Sequence, residues 1–223
     1  MSEQPRALSL LERVFTRSLV AVMSRYIGPK NEHDKAVADE FVRTMGLRGF
    51  FRYMKFVGAF VSAVEPVFGA ANTQTLIGLA SLIGGCGYCG YGHTLAGALL
   101  RFKETDELHP VHPHSIAALF ELEDHEVVEK LDEMLTKPGF EDLRRQTKRM
   151  YEIFLGELEP ETEEDELLKG ILDFWRWTVE CTIIEGIHIV PENAKTFNSI
   201  GRDKALRKRY DAALAAEREA MAN

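Results

Sequence analysis

The stretch GGCGYCGYGH, residues 84–93, decides how the chain is read. Gly84 and Gly85 break any helix that runs into them, because adjacent glycines carry the highest backbone-entropy cost of ordering. A new helix then starts at about Cys86. With about 100° between successive helical residues, Cys86, Cys89 and His93 fall within about 60° of arc and share one face. The chain has only three cysteines, so two of them in one turn of helix is a selective use of thiols.

Working outward, helical spacing continues in both directions. Residues 73–83 and 86–103 form the two helices that flank and contain the motif. Upstream, Leu10, Leu11, Val14, Phe15, Val22 and Met23 lie on one stripe, which IGPKN (27–31) stops. Residues 34–45 make a second helix closed by Gly46, and residues 50–64 a third, ended at Glu65 by Pro66. Downstream, HPVHPH (109–114) reads as a loop, because its prolines forbid a regular ladder. Helices follow near 123–136, 140–157 and 163–189, separated by Pro138-Gly139 and Pro160. The last carries an apolar stripe through Leu168, Ile171, Trp175, Val179, Ile183 and Ile187. A charged helix over about 202–221 ends the chain; its basic cluster, Arg202 to Arg209, reads as a solvated face, and the acidic run 159–166 as a solvated helix start. No alternating strand or hairpin turn occurs. The sequence predicts an all-α helical bundle, one domain over residues 1–223.

Composition narrows the function. Of 223 residues 45% are hydrophobic and 28% charged, enough for a sizeable core. A net charge of −8 argues against a nucleic-acid partner, which needs a basic face. The N-terminal segment carries Glu3, Arg6, Glu12 and Arg13 and lacks the apolar core of an export signal. With an odd cysteine count, a reduced cytoplasmic setting is expected, where a C-x-x-C is catalytic or metal-binding rather than structural. From Pro66 to Leu100 there is no Asp, Glu, Lys or Arg. That run is long enough to span a bilayer, but its polar residues and glycines suit a buried helix pair better, so no membrane partner is expected.

The motif has the parts of a redox dithiol. A helix N-terminus favours an anion, and the thiolate is the reactive form of cysteine. A second sulfur can resolve the oxidised first, and His93, one turn beyond Cys89, can carry a proton. Competing readings are weighed by spacing. A haem attachment needs histidine at position 90, which is Gly. A zinc site would need a fourth ligand, from His109, His112 or His114, and its spacing is not that of a finger. Two buried thiols in a tight helix contact are the bland alternative. Glu185-x-x-His188 has the spacing of half a di-iron site, but no second pair is present, so His188 reads as a core histidine. Cys181, Trp175 and Trp177 read as core, and HPVHPH as a rigid surface loop.

CGYCGYGH (86–93), inside an all-helical chain of this size, resembles the alkylhydroperoxidase D-like group of the carboxymuconolactone decarboxylase superfamily. The specific likeness covers residues 70–100. It implies an all-α fold, a homo-oligomer, hydroperoxide as substrate and a thiol or dithiol as reductant, with no organic cofactor or metal. It also implies that Cys89 attacks the peroxide, Cys86 resolves the sulfenic acid, and His93 relays protons. One departure matters: the family's glutamate, twelve residues before the first cysteine, is here Gln74. An amide cannot take a thiol proton at neutral pH, so Gln74 is left to hold water or orient His93. Glu180 and Glu185 are the carboxylates that could replace the missing base. A zinc-binding helical protein without catalysis, or a divergent member with lactone or decarboxylation chemistry, is the alternative. The helix dipole favours Cys86 as the nucleophile and proximity to His93 favours Cys89; the resemblance decides for Cys89.

Overall fold

Residues 66–100, the uncharged run, fold into the two helices at the centre of the protein. The computed structural model describes residues 6–26, 33–182 and 189–222. Among these lie nine α-helices and no strand: α1 (Leu10–Tyr26), α2 (Asp34–Phe68), α3 (Ala70–Ile83), α4 (Gly87–Thr105), α5 (Pro113–Ala117), α6 (Asp124–Met134), α7 (Glu141–Leu155), α8 (Glu163–Glu180) and α9 (Lys204–Ala222). The all-α expectation holds.

Every residue of α3 from Thr73 to Leu82 is buried. A helix that is apolar on all sides must be enclosed, and α2, α4 and α8 pack around this one. The α3–α4 approach is set by glycine. A Cβ on Gly78 would stand 2.6 Å from Thr94 Cγ2, and one on Gly97 would stand 2.4 Å from Thr75 Oγ1 and 2.9 Å from the Ala71 carbonyl. The main core joins α3 to the inner faces of α5–α8, through Leu76, Ile77, Leu131, Met150, Ile171 and Trp175. A second cluster seats α9 on α4 through Leu99, Phe102, Leu206 and Tyr210. Arg202, Lys204, Lys208 and Arg209 face solvent, so the terminal helix docks by its apolar stripe within its own chain.

Several boundaries differ from the sequence reading. The second and third expected helices form one element, α2, interrupted at Gly46 (φ 67°, ψ 168°). It runs through Pro66 because the bond that proline cannot make falls on an exposed side, where Ser62 and Pro66 both face solvent. It closes at Gly69 (φ 79°), whose N–H bonds to the Glu65 carbonyl at 2.8 Å. HPVHPH is not wholly loop: α5 starts at Pro113, and a proline in the first turn loses no helical bond. α8 stops at Glu180 with Cys181 as its cap; Ile183, Glu185, Ile187 and His188, expected to continue it, lie outside the described residues.

Two burial expectations fail. Trp175 is 2% exposed, but Trp177, two residues on, turns to the opposite face and is 45% exposed. The apolar stripe of α1 faces solvent at Leu10, Leu11, Val14 and Val22, while Glu12, Thr16 and Val20 are buried. The reason is Glu12: it takes two hydrogen bonds from Arg6, at 3.0 and 2.8 Å, and one from the Ser9 N–H at 2.8 Å. No single helix among the described residues is long and apolar enough to cross a membrane; α2 and α3 together pass by length and composition, but are bent by 118° at their junction.

Because the α3–α4 contact leaves no room for a methyl group, Gly97→Ala is expected to lower folding stability by about 1–3 kcal/mol. Urea unfolding of the two proteins measures it; an unchanged midpoint would mean that the helices do not meet at Gly97.

Candidate redox site

The site begins where α3 ends. Gly85 is left-handed (φ 81°), its N–H bonds to the Leu82 carbonyl at 2.8 Å, and the Cys86 N–H bonds to the Ser81 carbonyl at 2.9 Å. This paired closure is the Schellman arrangement, which requires a residue tolerant of positive φ at the place Gly85 occupies. It leaves Cys86 extended (φ −99°, ψ 98°) as the N-cap of α4, with its Sγ accepting the Cys89 N–H at 3.3 Å. A sulfur thus holds the position that Ser, Thr or Asp commonly takes, among the unpaired N–H groups of a helix start.

The two thiols differ in character. The Cys86 thiol is shifted below its ordinary value, first by the hydrogen bond from the Cys89 thiol and also by the backbone N–H groups of Cys89 and Tyr88, against the opposing effect of burial. The Cys89 thiol is pushed well above its ordinary value, by the proton it shares with Cys86 and by burial, with the Thr182 hydroxyl acting weakly the other way. Cys86 is therefore the more acidic sulfur of the pair, and Cys89 the one that holds its proton more tightly. Both cysteines are free, at 9% and 7% exposure.

His93 lies one turn further along α4, its ring against Phe197 (5.0 Å between centroids) and edge-on to Trp175 (5.8 Å). The residue keeps some solvent access, yet burial of the ring lowers its pKa to about 3. It is therefore neutral at neutral pH and supplies no positive charge to either sulfur. Its Nδ1 donates to Gln74 Oε1 at 2.9 Å, which leaves Nε2 as the lone-pair nitrogen. Gln74 and His93 meet because α3 and α4 pack at glycine distance. The position where the resembling family has glutamate thus orients the histidine here. Of the carboxylates expected to replace that glutamate, Glu180 is exposed at the end of α8 and Glu185 lies outside the described residues.

The loop histidines have other work. His109 is buried, its Nδ1 accepting the Val111 N–H at 3.0 Å and its Nε2 3.4 Å from Thr75 Oγ1. His112 precedes α5 as its N-cap, and His114 Nδ1 stands 3.6 Å from Glu192. Among the described residues no three His, Cys, Asp or Glu side chains are grouped to hold a metal ion. Cys181, at the end of α8, is only partly buried, with its thiol shifted upward by burial.

One part of the site was missed in the sequence pattern. Tyr88, between the cysteines, donates from its hydroxyl to Asp34 Oδ1 at 2.7 Å, and Lys195 Nζ is 2.6 Å from Asp34 Oδ2. The Asp34 and Lys195 side chains are 0% and 2% exposed. Lys195 also brings its chain segment against α4: a Cβ on Gly92 would stand 2.5 Å from the Lys195 carbonyl and 2.3 Å from the Phe197 ring. The buried ion pair ties the start of α2 and the 194–198 segment over the cysteine turn. Long-range pairing of this kind has no local periodicity to betray it; the sole hint was a glycine at 92 with no turn to justify it.

Comparison of the chain with family models, with curated proteins and with solved structures returns no match.

A carboxylate beside Nδ1 would stabilise the imidazolium, so Gln74→Glu is expected to raise the His93 pKa from about 3 by about 1–3 units. Titration of the ring resonances by NMR measures the change. A midpoint that stays in place would mean that position 74 does not touch His93.

Proposed function

We propose that the protein is a dithiol–disulfide oxidoreductase that reduces hydroperoxides through Cys86 and Cys89. One observation carries the reading: Cys86 Sγ caps α4 and accepts the Cys89 N–H, so a sulfur placed where a thiolate is favoured stands beside a second thiol. The resemblance of residues 86–93 to alkylhydroperoxidase D-like proteins suggests peroxide as the oxidant.

The electrostatics favour roles exchanged from those the resemblance implies. The Cys86 thiolate attacks the outer peroxide oxygen; the O–O bond breaks, and the leaving alkoxide takes a proton from water to depart as an alcohol. Cys86 is then a sulfenic acid, oxidised by two electrons. The Cys89 sulfur attacks it, the Cys89 proton and the sulfenic hydroxyl leave together as water, and a Cys86–Cys89 disulfide forms. An external thiol or dithiol returns both sulfurs to the reduced state by exchange. Neutral His93, fixed by Gln74, presents Nε2 as an acceptor for a water or for the peroxide O–H. Because that nitrogen is weakly basic, it orients and passes protons rather than storing one.

Peroxide treatment of single-cysteine variants tests the function and the roles. Cys89→Ser is expected to accumulate a dimedone-reactive sulfenic acid on Cys86, and Cys86→Ser to lose reaction with peroxide. A sulfenic acid on Cys89 in Cys86→Ser would reverse the roles, and two unreactive variants would remove the redox function.

A further inference from the structure

The second half of α2, from Phe50 on, is rich in large apolar side chains, with Phe50, Phe51, Tyr53, Met54, Phe56 and Phe60 in its first turns and Arg52, Lys55 and Glu65 as its only charges. Yet most of it is open to solvent. Between Phe51 and Val67 only Val64 is buried, and the exposed positions cover about 220° of arc. Phe51 is 59% exposed, Phe56 53%, Met54 49% and Val67 50%. Contiguous exposed apolar patches of this type mark interaction sites. The patch continues onto α1, where Phe15 meets the Phe51 ring at 5.4 Å and Leu11 and Val14 are open.

Gly58 points the same way. Gly78, Gly92 and Gly97 each admit a close neighbour, whereas a Cβ on Gly58 would meet nothing within 4 Å. A glycine inside an exposed helix costs about 0.5–1 kcal/mol relative to alanine, and nothing among the described residues uses the space. Gly58 lies with Phe51, Met54, Lys55, Ser62, Glu65 and Pro66 on one face.

We propose that this face of α2 is the contact of a homodimer, in which two α2 helices cross antiparallel about a two-fold axis level with Phe60. That register sets Gly58 against Ser62 of the other copy, Met54 against Pro66, and Phe51 against Gly69, so large side chains meet small ones at the closest approach. It also sets Lys55 against Glu65 twice over. Among the described residues neither of these forms an ion pair within its own chain, and an isologous contact must be complementary to itself. An anionic bilayer would attract Arg52 and Lys55 but repel Glu65, which sits on the same face. The proposal does not depend on the redox reading.

Sedimentation of the full chain, with charge reversals, tests it. The wild type is expected as a particle of twice the 25.2 kDa chain mass. Lys55→Glu or Glu65→Lys alone places like charges in contact and weakens the dimer at least about tenfold. The double reversal restores it, while circular dichroism of all four proteins stays the same. A monomeric wild type, or a dimer indifferent to the single reversals, overturns the proposal. So does a monomer that co-sediments with phosphatidylserine vesicles, which would make lipid the occupant of this face.

Discussion

The contact on which this site depends is that between α3 and α4, where Gly78 and Gly97 let two helices approach until side chain touches backbone. Their spacing brings Gln74 of one helix within hydrogen-bond reach of His93 on the other. The same hairpin needs a reversal at its end, and the left-handed Gly85 provides it while delivering Cys86 straight into the cap position of the next helix. Packing and chemistry therefore share residues: the turn that closes α3 is the turn that activates a sulfur.

Activation of Cys86 owes nothing to an imidazolium. Burial keeps His93 neutral, so what draws the Cys86 thiol below its ordinary value is the second thiol and the backbone N–H groups of the helix start. This is the logic of an anion at a helix start, in which fixed dipoles replace water without a counter-ion. The buried Asp34–Lys195 pair and the Tyr88 hydroxyl sit on the next layer and hold two distant segments over the cysteines. A buried pair of opposite charges adds little net field at a distance, but breaking it by removing one partner leaves an uncompensated charge.

The all-α fold was legible in the sequence because it rests on local rules. Helical periodicity located α3, α4, α6 and α7, and two adjacent glycines located the break between α3 and α4. What could not be read was set by distant partners. The α1 stripe pointed to burial, but Glu12 takes the inner face once Arg6 reaches it. Trp177 was read as core because aromatic character says nothing about which face of α8 it takes. Pro66 looked like a stop, yet it falls on a solvent-facing side near the helix end, and the helix continues past it to Phe68. In the site, spacing singled out residues 86, 89 and 93, but Cys86 is the extended cap before α4 and not its first helical residue, and position 74 was singled out only through the family resemblance. The contact between Gln74 and His93, and the entire Asp34–Lys195–Tyr88 cluster, depend on tertiary packing.

The central claim, that Cys86 is the more acidic sulfur and Cys89 the one that keeps its proton, is tested most directly by the pH dependence of alkylation at each sulfur. Iodoacetamide labelling, followed peptide by peptide with mass spectrometry, is expected to give Cys86 a midpoint below the free-thiol value of about 8.5 and Cys89 one well above it. His93→Gln is expected to leave the order unchanged. Cys89 labelling at the lower pH, or both sulfurs titrating together at the free-thiol value, would contradict the account.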